Sequence, residues 1–247
     1  MKKILLTGFI FVFFISLSFS QDGDHVGGGR FSKNIEYNML WLEIGYNFNS
    51  KGDVEKLFFG DFNAPVEFFY KPSFDGASGF RIVRDTGKNS CFLEIKYIYN
   101  FHKAQDEAAE KYPPTIVVPI EQLGMPISTK ESLELKERQK KYLEEKNNLF
   151  KIESRTFPIS DKFANKLYEK MFSIINNFKA RGVPPMITDG YSVTFRNVVG
   201  DEVWSLRIHE PTGIAQKFAD FCRKIIDETI ITGKPDEAEY IKLLDEF

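Results

Sequence analysis

Residues Tyr191 to Ile208 alternate polar and apolar side chains on both sides of a Gly200-Asp201 pair. A period of two marks a half-covered strand, and glycine first in a two-residue loop suits the tight turns that join antiparallel partners. Such a loop leaves one register. Val199 faces Glu202, Arg196 faces Ser205, Thr194 faces Arg207, Ser192 faces His209, Phe195 faces Leu206 and Val193 faces Ile208. A slip of one residue would turn every side chain over. A ribbon of this kind has one oily side, and the rest of the chain must supply something to cover it.

The chain offers helices for that purpose. Ser160 stands ahead of Phe163, Leu167, Met171, Ile175 and Phe178, spaced every three or four residues, with Gly182 and Pro184-Pro185 to end the run. Thr212 precedes Ile214, Phe218, Phe221, Cys222 and Ile225. Gly233 closes that helix, and Pro235 opens a last one carrying Tyr240, Ile241, Leu244 and Phe247. Upstream, Val66–Lys71, Gly79–Arg84 and Cys91–Tyr99 read as strands, separated by the turn chemistry of Lys71–Gly76 and Asp85–Ser90. Residues 34–48 fit a strand through Leu40, Leu42, Ile44, Tyr46 and Phe48, or a helix through Ile35, Met39 and Leu42. A short helix is expected over His102–Lys111, an extended stretch over Thr115–Pro126, and a charged helix from the Ser128-Thr129-Lys130-Glu131 capping box to Asn148. Its stripe of Leu135, Tyr142 and Leu149 is narrow, as in a helix lying on a domain with a solvated outer side.

Strands, helices, strands, helices in that order indicate an α+β fold, an antiparallel sheet with helices packed mainly on one face. The expected organisation is a single domain over 33–247, or two similar lobes of about 33–127 and 150–247 joined by the charged helix 128–149. The single domain is the primary expectation, and the second rests on a faint internal echo: Asp75-Gly76 precedes Phe80-Arg81 as Asp189-Gly190 precedes Phe195-Arg196.

The N-terminus reads as an address. Lys2 and Lys3, an apolar run from Ile4 to Phe19 and Ser18-Phe19-Ser20-Gln21 make the parts of a secretory signal peptide over residues 1–20, cut after Ser20. An uncleaved anchor is the alternative. No further stretch is apolar enough to span a bilayer, so no transmembrane segment is expected after cleavage. Gln21–Ser32 reads as a flexible leader, and its Asp22, Asp24 and His25 as a solvated tail rather than a metal site. A periplasmic or extracellular destination follows.

Composition narrows the chemistry. With 33 Lys+Arg against 35 Asp+Glu, the net charge of -2 gives no basic footprint for nucleic acid. Two cysteines cannot build a zinc site of four thiolates. Gly87-Lys88-Asn89-Ser90 lacks the upstream glycine of a phosphate loop, and Gly27-Gly28-Gly29 precedes no strand-helix unit, so no cofactor or metal is expected. In the hairpin register Thr194, Arg196, Ser205, Arg207 and His209 share one sheet face. Two guanidinium forks beside hydroxyls suit a carboxylate, phosphate or sulfated glycan, against the plainer reading of a solvated face. Asp189 and His209 near Ser192 are weak candidates for a catalytic set, without the expected nucleophile elbow. Cys91 and Cys222 both fall on inward faces and are candidates for a disulfide, or for two buried thiols.

These readings favour an exported, non-enzymatic protein that binds an anionic small molecule, a glycan or a protein partner. A hydrolase of unrecognised type using Asp189 and His209, and a cell-envelope structural or assembly protein, are the alternatives.

Overall fold

A computed structural model of the chain describes residues 30–31, 40–45, 53–60, 64–85, 87–88, 90–113, 129–178, 189–200 and 202–247. The signal-like segment, most of the leader, the stretch 115–126 and Gly182 with Pro184-Pro185 lie outside them. Of the leader, Arg30–Phe31 forms a short strand, β1, against β2 (Leu40–Gly45). The ambiguity over 34–48 is thereby resolved in part: 40–45 is a strand, paired on its other side with the C-terminal hairpin.

The remaining strands are β3 (Val66–Pro72), β4 (Ser78–Asp85), β5 (Ser90–Ile98), β6 (Ile152–Ile159), β7 (Tyr191–Val199) and β8 (Glu202–His209). They form one eight-stranded sheet in the order β1-β2-β8-β7-β3-β4-β5-β6, with every ladder antiparallel. The β7–β8 register is the one derived from the turn, pair for pair. Gly200 has φ 60, the positive value its place in the loop demands. Sheet and helices together make the fold α+β.

Five helices matter for the frame: α2 (Phe101–Lys111), α3 (Thr129–Leu149), α4 (Asp161–Asn177), α5 (Gly213–Thr232) and α6 (Glu237–Asp245). Those that cover the oily face are α4, α5 and α6. Phe163, Leu167, Met171 and Ile175 of α4 join Phe218, Cys222, Ile225 and Ile226 of α5 and Tyr240 and Leu244 of α6 in one buried cluster with the sheet. Ser160 caps α4 by accepting from Phe163 N at 3.2 Å, and its own N donates to Glu237 of α6 at 3.0 Å. Thr212 stands at the N-cap of α5 but makes no side-chain cap bond, a departure from the sequence expectation. Gly233 ends α5 with φ 75.

At the middle of the oily face, Phe68 of β3 lies between Phe80 of β4 and Phe195 of β7, with ring centroids 5.6 Å away on both sides. The two copies of the Phe-Arg echo therefore flank one strand. Both β4 and β7 run antiparallel to β3, so their next residues, Arg81 and Arg196, come opposite Glu67 from either side on the reverse face.

On that reverse face lies α1 (Asp53–Phe58), with Phe59 just beyond it. Val54, Phe58 and Phe59 pack on Phe69, Ala77 and Ile98 as a small second core. A Cβ at Gly79 would stand 2.6 Å from the Phe68 carbonyl oxygen and within 3.5 Å of Phe58 and Phe69 ring atoms, so only glycine admits this packing. Beside it, Phe101 stacks on Phe150 at 6.0 Å, and Asn100 bridges to Leu149 and Lys151, so that α2 and α3 are tied where α3 returns to the sheet. Among the described residues no helix is long and apolar enough to cross a membrane.

Candidate functional site

The reverse face carries a ladder of alternating charge across four neighbouring strands: Arg196 of β7, Glu67 of β3, Arg81 of β4 and Glu94 of β5 stand in one row. Arg196 Nη1 donates to Glu67 Oε2 at 2.7 Å and Arg81 Nε to Glu94 Oε2 at 2.5 Å. Arg196 is 1% exposed and Glu67 wholly buried. Ions stripped of water in this way are sustained by close opposite charge and hydrogen bonds. Burial pushes the Glu94 carboxyl up, but the Arg81 bond and charge, with Lys96, outweigh it and hold it below the ordinary value. The rings nearby take the cations' outer sides. Arg81 and Lys96 each lie 5.1 Å from the Phe59 centroid, and Arg196 lies 5.1 Å from that of Phe69.

One row further along, Thr194 and Arg207 face each other, and a carboxylate from α1 is seated on them. Glu55 Oε1 accepts from Thr194 Oγ1 at 2.8 Å and from Arg207 Nη2 at 2.8 Å. Its Oε2 accepts from the same Nη2 at 2.7 Å, with Arg196 Nη2 3.8 Å away. Burial alone would raise the Glu55 carboxyl. The two guanidiniums and the bonds from Arg207 and Thr194 overcome that and keep it ionised below the usual range.

The expectation of an open, wet face is corrected here. Ser205 is buried opposite Arg196, Thr194 is buried, and of the groups around Glu55 only the Arg207 side chain, 36% exposed, reaches water. The hairpin dictates which residues share the face, but not that a helix some 140 residues upstream in sequence lies over them. The arrangement does bind a carboxylate, and that carboxylate is the chain's own.

His209, the last of the face residues, is half-buried at the end of β8, with Nδ1 3.0 Å from Ser192 Oγ. In the Ser-His-Asp triad that nitrogen faces the orienting carboxylate and the other faces the hydroxyl, so this contact does not reproduce that arrangement. Asp189 is exposed at the mouth of β7. Close by, Glu210 is the one described non-glycine residue with positive φ, 49°; its Oε1 accepts from Tyr191 N at 2.7 Å over Gly190. Glu210 therefore acts as a backbone clip on the open end of the hairpin.

The disulfide expectation is also corrected: Cys91 and Cys222 are both free and buried. Cys91 at the start of β5 turns to α4, where its Sγ donates to Asp161 Oδ1 at 2.9 Å. Burial, then that bond and the Asp161 charge, push the thiol up to about 11. Cys222 sits in the middle of α5 against the sheet, and burial carries its thiol well above the ordinary value. Neither has thiolate character at neutral pH. Among the described residues no group of three or more His, Cys, Asp or Glu is placed to hold a metal.

A surface that the sequence reading passed over lies at the end of the sheet. Phe74, in the β3–β4 turn, is 67% exposed, and Tyr99, after β5, is 59% exposed. The backbone of Tyr99 and that just before Phe74 are hydrogen-bonded in place. Ser73 N donates to Gly190 O at 2.8 Å, Ile98 N to Ala77 O at 2.9 Å and Tyr99 N to Lys151 O at 3.2 Å. A Cβ at Gly76 would fall 2.2 Å from the Ile98 carbonyl oxygen, so the turn lies pressed on the end of β5. Asp75 stands 4.0 Å from His102 across the same junction.

No family model matches this chain, and comparison with curated proteins and with solved structures finds no significant match.

Proposed function

We propose that the protein is an exported, non-enzymatic interaction protein that meets a protein partner through the sheet end bearing Phe74 and Tyr99. The observation that carries this reading is the pairing of large exposed rings with a backbone held by the bonds just described. An aromatic side chain has only two torsions to freeze, and a fixed turn has already lost its chain entropy before contact. Such residues become the anchors of interfaces, while loose surface leucines do not. Export is supported by the basic start, the short apolar run and the small residues around Ser20.

The test is a photo-crosslinking amino acid placed at Tyr99 in the producing cell, with and without Phe74→Ala. The expected result is one adduct that disappears with the Phe74 change, while the folded protein keeps its melting point. An adduct indifferent to Phe74, or none from this position, overturns the reading. The mature chain should begin at Gln21 by mass spectrometry, a retained Met1 or Lys2 would remove the cleavage after Ser20, and a chain that stays with the cytoplasmic fraction would remove the export half.

A further inference from the structure

We infer that Thr194, Arg207 and Arg196 form a carboxylate-binding site that helix α1 closes from within, Glu55 being its resident and removable occupant. This rests on the reverse face and is independent of the aromatic sheet end. The two sides of the contact are unequally built. The receiving groups stand on β7 and β8, in the interior of the sheet, and Arg196 is further fixed by Glu67 at 2.7 Å and by the Phe69 ring. The entering group stands on a helix of six residues, far too short to persist without its docking contacts. Arg196, held by Glu67, and the strand-borne Thr194 hydroxyl keep their places without Glu55, and the partly exposed Arg207 beside them supplies the fork of donors that any carboxylate can take. Arg207, partly open to solvent, provides the way in.

An internal occupant weakens an outside ligand by the fraction of time it vacates the site. Removing Glu55 should then expose the site at full strength. Glu55→Ala deletes a CH2-carboxylate unit, for which acetate is the matching probe. Full-length Glu55→Ala protein is titrated with sodium acetate, sodium chloride at equal ionic strength and acetamide, following the melting temperature. The expected result is a saturable rise with acetate alone, abolished when Arg207→Met is added. In the wild type, amide exchange over residues 54–59 is followed in the same salts. There acetate should loosen α1 with a midpoint at least about tenfold above that of the variant. A Glu55→Ala protein that answers acetate and chloride alike overturns the site. A wild-type α1 unmoved at about a hundred times the variant's midpoint overturns its removable occupant. Should Glu55→Ala fail to fold, Glu55→Gln takes its place, and acetate behaviour identical to wild type then counts against the inference.

Discussion

The two faces of the sheet solve the same problem by opposite means. On one, three helices dry a continuous layer of Phe, Leu, Ile and Val around Phe68, and nothing but shape has to match. On the other, the same strands turn inward a row of alternating charges, and a helix of six residues covers part of it with Glu55 and a few rings. The oily face tolerates volume-conserving exchanges of apolar side chains, because apolar contact has no direction. The charged face tolerates less, since each buried ion depends on a few neighbours placed at bonding distance. Stability is thus expected to come mainly from the first face, and specificity of α1 docking from the second.

That contrast can be broken at several points. Phe195→Ala, which opens a cavity between Phe68 and Phe218, should cost about 3–5 kcal/mol in chemical denaturation; a loss under 1 kcal/mol would mean that the helical face is not the main source of stability. Arg196→Met should cost a similar amount, about 3–5 kcal/mol, because Glu67 is left charged and buried. The paired change Arg196→Met with Glu67→Leu should recover to within about 1–2 kcal/mol of wild type. If the pair is as damaged as the single change, the ladder is more than a compensated ion pair. Glu55→Gln should cost less, about 1–3 kcal/mol at neutral pH, since Arg207 can turn to water. The Glu55 carboxyl titrates lower when folded than its ordinary 4.5, so its contribution is complete above that pH and fades as acid carries it through the folded value. Melting curves of Glu55→Gln and wild type should therefore converge below pH 4.5, and a gap that persists in strong acid would contradict the assignment. The smallest effect is on the cysteines. A reductant should leave the melting point unchanged, and thiol reagents should label the folded protein slowly at neutral pH.

The hairpin and its helices were legible because long alternating or three-four-spaced runs leave little freedom, and Gly200 pins the register. Two elements on which the site depends were not. In α1, fewer than two turns give no period to read. In β6, the inward row is Glu153, Arg155, Phe157 and Ile159, so acids and bases occupy core-side places near the strand's end. There Arg155 reaches the Ile230 carbonyl at 3.0 Å under the last turn of α5. Pro158 further disguises an edge strand, where a missing donor does no harm. The candidate face shows the same limit. Pairing across a turn says that Arg196 and Arg207 share a side, but burial of that side depends on a distant segment. Phe74 sits among turn-forming residues, and only its surroundings distinguish an exposed ring from one folded back.

Arg196 follows Glu67 by 129 residues, and β3 has no neighbour on that side until β7 is in place. During synthesis, therefore, a nascent chain that has not yet delivered its final hairpin holds half a sheet in which Glu67 lacks Arg196, with an open row of backbone groups on β3. Such late pairing of distant segments slows folding. A chain of this topology stays threadable until its final hairpin is delivered, which is compatible with the export proposed above.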